Sequence, residues 1–99
     1  MARKKKEDPK VQLAAVLDLT AAAPLADALL ARRKKATVVD ASNVQRLGAQ
    51  CLQVLIAAAN TWKEDGVAFQ IDGMSDGFSE GLRLMGVTPE MFSAEGFTQ

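Results

Sequence analysis

The stretch Ala36–Trp62, ATVVDASNVQRLGAQCLQVLIAAANTW, is compatible with few folds. Its β-branched run Thr37-Val38-Val39 reads as a strand. Asp40-Ala41-Ser42-Asn43 ends it, because Asp, Ser and Asn side chains bond the nearby backbone in place of a continuing ladder. After Val44-Gln45-Arg46-Leu47 a helix begins around Gly48. Cys51, Leu52, Leu55, Ile56, Ala59 and Trp62 recur at spacings of three and four, as one buried face requires. Gln50, Gln53, Ala57, Asn60 and Glu64 form the opposite stripe. A strand feeding a helix through a short turn of small residues leaves unpaired backbone N–H groups at the helix start, which suits docking or anion binding.

Around this unit the chain alternates. Val11–Leu19 is apolar enough for a strand inside a sheet, with a break near Ala15. Thr20 is the expected cap of a helix running through Leu25, Leu29 and Leu30 to Arg32-Arg33. Pro24 is tolerated in its first turn or moves the start toward Ala23. Gly66 is a left-handed stop for the central helix. Val67–Ile71 is a third strand, and Ser75 caps a third helix lined by Phe78, Leu82 and Met85 and ended by Gly86. Thr88-Pro89-Glu90 starts a last turn or two carrying Met91 and Phe92. The βαβαβα order implies an α/β domain with a mainly parallel sheet, helices covering it and right-handed crossovers. Residues 1–10 read as a disordered basic tail, 11–93 as the domain and 94–99 as a frayed end.

Ninety-nine residues make one domain. Apolar residues are 48% and aromatics only 5%, so the core is expected to be aliphatic and Ala-rich. No apolar run approaches the roughly 18 residues of a membrane span. A single cysteine, with no apolar leader, points to a reducing, cytoplasmic setting. No histidine is present, which removes the commonest general base and, with one cysteine, any plausible zinc ligand set. No metal or other cofactor is expected.

The net charge is zero but lopsided. Residues 1–46 hold ten Lys/Arg against five Asp/Glu, and residues 47–99 hold two against seven. Such polarity fits charged partners better than a dedicated nucleic-acid binder. The tail MARKKKEDPK is an electrostatic arm or a solubilising terminus, and Arg32–Lys35 a binding patch or a solvated helix end. Asp18 and Asp40 resemble a carboxylate pair, but a helix cap and a turn former explain them more simply. Cys51 lies on the apolar side of its helix, in a first turn where a thiol pKa can fall, and reads best as a core residue. Gly66, Gly73 and Gly77 form neither a P-loop nor a dinucleotide fingerprint. Nothing assembles a catalytic site, so the chain is expected not to be an enzyme.

Asp40-Ala41-Ser42-Asn43-Val44, followed by four residues and a helix entering Leu52 and Leu55, resembles the STAS domain, the fold of the anti-sigma-factor antagonists. Leu17-Asp18 before Thr20-Ala21 is similar to that family's Leu-Asp before its first helix, and Leu84-Met85-Gly86-Val87 to its closing Leu-x-Gly-Leu. The family's Asp-Ser-Ser-Gly falls on Gly48-Ala49-Gln50-Cys51, so Ala49 replaces the phosphorylated serine and Gly48 the preceding acid. That switch cannot operate here. Ser42 is the nearest surviving hydroxyl and the candidate phosphoacceptor. The chain also lacks a full leading hairpin, so its sheet is expected to be one strand short.

Residues 40–51, with Asp-Ala-Ser-x-Val-Gln-Arg-x-Gly-x-Gln-Cys, are similar to small STAS-like proteins encoded with alphaproteobacterial chemotaxis components. The resemblance implies a bacterial adaptor that binds the chemotaxis histidine kinase and influences phosphate flow to its response regulator. Its partner-binding residues would be Val44, Gln45, Arg46, Gly48, Ala49, Gln50 and Gln53. Arg46 would pair with an acidic group, Gln50 and Gln53 would supply hydrogen bonds, and Gly48 and Ala49 would permit close approach. Other readings are a STAS subunit of a phospholipid-transport ATPase, a divergent anti-sigma-factor antagonist, and a small RNA-binding protein.

Overall fold

The structure, a computed structural model, describes residues 10–92. The tail and the frayed end expected from the sequence fall outside those residues, apart from Lys10, which is not tail but the first residue of a strand. Strands β1 (Lys10–Gln12), β3 (Thr37–Asp40) and β5 (Phe69–Asp72) form one parallel sheet in the order β1-β3-β5. Lys10 pairs with Val38 and Thr37 with Phe69. Strands β2 (Val16–Leu17) and β4 (Arg46–Leu47) form a second parallel ladder, Val16 opposite Arg46 and Leu17 opposite Leu47. Helices α1 (Leu19–Leu30), α2 (Ala49–Asp65) and α3 (Asp76–Leu84) follow β2, β4 and β5, and Pro89–Phe92 forms a 3-10 turn. The architecture is the expected α/β arrangement with a parallel sheet.

A repeat is built into this order. In each of the first two units a strand of the main sheet leads to a short strand of the second ladder and then to a helix. The first unit pairs with the second strand for strand, β1 with β3 and β2 with β4. The single broken strand expected over Val11–Leu19 is two strands, β1 and β2, and Arg46-Leu47 before α2 is a strand of its own. Two-residue strands carry almost no periodic signal.

Helix α1 starts one turn feature earlier than expected. Asp18, not Thr20, is its N-cap: one carboxylate oxygen accepts from the Thr20 amide at 3.1 Å and the Thr20 hydroxyl at 2.7 Å. A carboxylate is a strong cap, and it fixes the start at Leu19 despite Pro24, which then sits inside the helix at the cost of one backbone hydrogen bond. The helix ends at Leu30, so Arg32–Lys35 lie in the turn beyond it, where Lys34 adopts a left-handed φ of 72°. Gly66 (φ 72°) closes α2 as expected, and Ser75 caps α3 by accepting from the Phe78 amide at 3.1 Å.

The helices cover one face of the main sheet. Val39, Phe69 and Thr37 turn inward and are buried, while Lys10, Gln12, Gln70 and Asp72 on the other face are exposed. The core joins Leu13, Leu17, Leu25, Leu29 and Val39 to Leu52, Leu55, Ala59 and Trp62. It is more aromatic than composition implied, because every aromatic residue among those described is inside. Trp62 packs on Phe69 with ring centroids 5.5 Å apart, and Phe78 lies 6.4 Å from Phe92. Full burial of such side chains is worth about 1.5–3 kcal/mol each. The buried indole N–H of Trp62 donates to the Lys35 carbonyl at 2.8 Å, so its polar edge is satisfied.

Four carboxyls sit below their usual values. The Thr20 hydroxyl holds down Asp18, Ser42 holds down Asp40, Arg33 holds down Asp65 across the α1–α2 ends at 3.1 Å, and Arg83 holds down Glu80. A carboxylate depressed in the folded state stabilises above its unfolded pKa, about 4, and loses that contribution as pH falls through the folded value. Urea midpoints are therefore expected to be flat at neutral pH and to fall below about pH 4. Asp18→Ala should be less stable at neutral pH and show a shallower acid decline.

Candidate functional site: the paired starts of two helices

Strands β2 and β4 run side by side and each delivers its chain directly into a helix, so α1 and α2 begin next to each other. The Gly48 amide donates to the Leu17 carbonyl at 2.8 Å, and the Cys51 thiol to the Asp18 carbonyl at 3.4 Å. The two starts differ in one respect. Asp18 caps α1 with a carboxylate, whereas Gly48 gives α2 no side-chain cap. The first-turn N–H groups of α2, at the positive end of its dipole, thus have no side-chain cap, and the side chains of Ala49 and Gln50 beside them are exposed.

Five of the seven expected partner-binding residues lie on this surface. Gln45, Arg46, Ala49, Gln50 and Gln53 are exposed. Arg46 has no ion-pair partner among the described residues. Gly48 and Val44 do something else. Val44 is 2% exposed and belongs to the core, so its side chain cannot touch a partner. Gly48 is half-buried at an ordinary φ of −92°, and a Cβ there would stand 2.9 Å from the Leu17 carbonyl oxygen. Its bareness lets β4 approach β2 within the chain.

Ser42 is exposed, but it lies in the turn after β3, against Gly73, with its amide donating to Asp40 at 2.9 Å. Asp18 and Asp40 are a cap and a turn former, as the simpler reading had it. Cys51 is fully buried, and desolvation, followed by the nearby Asp18 charge, pushes its thiol pKa up rather than down. It is a core residue.

Two contributors went unread in the sequence. Val16 opposite Arg46, and Leu19 just past the Asp18 cap, are 41% and 70% exposed and add apolar surface to this face. The other contributor is α3, which holds the loop in place from behind. The Ser75 hydroxyl donates to the Val44 carbonyl while accepting from the Phe78 amide. Gly77 lets α3 lie so close that a Cβ there would be 2.4 Å from the Gln45 carbonyl oxygen, and at Gly81 it would be 2.9 Å from the Leu47 Cβ. Glycines four apart inside a helix were the available signal, since each costs about 1 kcal/mol against alanine and marks a close approach.

A family model described as "Mlab, STAS domain" matches residues 1–91. The chain therefore belongs to the STAS domain family, whose members act through protein–protein interaction. No curated protein and no solved structure matches the chain. Among the described residues no helix is long and apolar enough to cross a membrane.

Because the Gly77 contact is with backbone, which cannot swing away, Gly77→Ala is expected to cost about 1–3 kcal/mol in urea unfolding. It should also shift the amide resonances of Gln45 and Arg46 more than those of β5. An alanine variant of unchanged stability and spectrum would mean that α3 does not position the loop.

Proposed function

We propose that this protein is a non-catalytic, cytoplasmic STAS adaptor of bacterial chemotaxis signalling. It binds the chemotaxis histidine kinase through the start of α2 and thereby modulates phosphate flow to the response regulator. The observation that carries the reading is an uncapped helix start with exposed side chains, held from behind by Ser75 and Gly77, whose residue 49 is alanine. The recognition surface remains and the phosphorylatable oxygen is gone.

In this reading Arg46 pairs with a carboxylate of the kinase, Gln45, Gln50 and Gln53 donate and accept hydrogen bonds at the rim, and Ala49 lets the partner's backbone come close. Arg46 is suited to this because a guanidinium offers a planar fork of donors that a carboxylate matches in two places. Val16 and Leu19 supply the apolar area that such an interface needs beside its charges. Ser42 is the candidate acceptor for any phosphoryl group, set in the turn rather than on α2.

A second reading uses the same face. A STAS subunit that grips the nucleotide-binding subunit of a phospholipid-transport ATPase needs a constant hold and no switch, which alanine at position 49 also suits.

Purified chain titrated against the chemotaxis histidine kinase of the same cell should bind. Arg46→Glu and Ala49→Trp should each weaken binding at least about tenfold with circular dichroism unchanged. Unaltered affinity in both variants would remove this face from consideration. Co-purification with a transport ATPase instead of a kinase would favour the second reading.

A further inference from the structure

The end of the molecule opposite the helix starts has a chemistry of its own. Because β1, β3 and β5 are parallel, their first residues lie together: Lys10 is in register with Val38, and Thr37 with Phe69. The turn that enters β3 carries Arg32, Arg33, Lys34 and Lys35, and the last turn of α2 arrives beside it with Lys63. Contacts tie the two together. Arg33 meets Asp65 at 3.1 Å, and the Trp62 indole donates to the Lys35 carbonyl. This end thus carries five cations and two acids, Glu64 and Asp65, with Arg33 paired to Asp65 and Arg32 half-buried. Upstream of Lys10 the sequence carries Arg3, Lys4, Lys5 and Lys6, with Glu7 and Asp8 between them and the strand.

Two features indicate what such a pole would meet. Trp62, Phe69, Phe78 and Phe92 are all buried, so the described residues offer no aromatic platform for stacking nucleic-acid bases. Leu30, two residues before Arg32, is 63% exposed and stands at the edge of the cations. A cluster of cations around an exposed leucine matches an anionic lipid surface, where phosphate headgroups meet the charges and the leucine reaches the acyl boundary.

We infer that the basic pole formed by Arg32–Lys35, Lys63 and Leu30 docks peripherally on anionic phospholipid bilayers. Helix α2 has 17 residues, about 25 Å of length, so a bilayer held at its carboxyl end leaves the surface at Arg46 and Ala49 open to a protein. The inference stands whether the protein partner is a kinase or an ATPase.

The full chain is sedimented with vesicles of phosphatidylcholine alone and of phosphatidylcholine mixed with phosphatidylglycerol, at low and raised salt. Binding to the mixed vesicles only, lost as salt rises, is the expected result. Each cation removed near the surface should cost about fivefold, so the doubly substituted Lys34→Gln, Lys35→Gln chain should partition at least about tenfold less. Leu30→Gln should also bind less, both with unchanged circular dichroism. Equal sedimentation with both vesicle types, full retention by the variants, or a preference for duplex nucleic acid over the mixed vesicles at the same salt would overturn the inference.

Discussion

The hydrogen bond from the Gly48 amide to the Leu17 carbonyl, 2.8 Å long, joins the two short strands from which α1 and α2 start. It closes a ladder of only two residues per strand, and so short a ladder has little stability of its own. It persists because Leu17 and Leu47, its in-register pair, are buried on one side, and because residue 48 has no side chain to keep the strands apart. From this contact two helices start side by side, one finished by the Asp18 carboxylate and the other left open. A residue larger than glycine at position 48 would meet backbone, which must move, and the relative placement of the two starts would move with it.

Behind that face the packing is unusually tight at α3. Ser75 both caps α3 and holds the Val44 carbonyl, while Gly77 and Gly81 remove the bulk that would push the loop outward. Helix, turn and second ladder thus behave as one unit, and the exposed side chains of Gln45 and Arg46 inherit their positions from buried atoms. A surface held in this way can bind without first paying to order a loop, which favours recognition by a preformed face. The basic pole lies at the far end of α2, so the two charged regions are separated by the length of that helix.

The sequence showed the larger elements well. Leu52, Leu55, Ala59 and Trp62 announced the buried side of α2, Gly66 its end and Ser75 the start of α3, because each follows from strong local chemistry. It showed the second ladder poorly, since the burial of Leu17 and Leu47 depends on each other across some thirty residues. The same distance explains two features of this surface that the local sequence does not show. Val44 looked like part of an exposed turn, and nothing local says that α3 will bury it. Gly48 has no side chain because the Leu17 carbonyl lies where a Cβ would stand, a contact no local signal announces. At α1 the sequence offers both Thr20 and Asp18 as caps, and a strand running to Leu19 favours Thr20; β2 ends two residues sooner, at Leu17, which leaves Asp18 as the cap.

The proposed adaptor role places the contact face at the start of α2, where Ala49 stands at the position that the resemblance gives to the family's serine. Amide hydrogen exchange of the chain, alone and saturated with the chemotaxis histidine kinase, tests this most directly. Slowed exchange confined to Gln45–Gln53 and the neighbouring start of α1 is expected. Protection that leaves those amides untouched and appears elsewhere, on the open sheet face or around Arg32–Lys35, would contradict it.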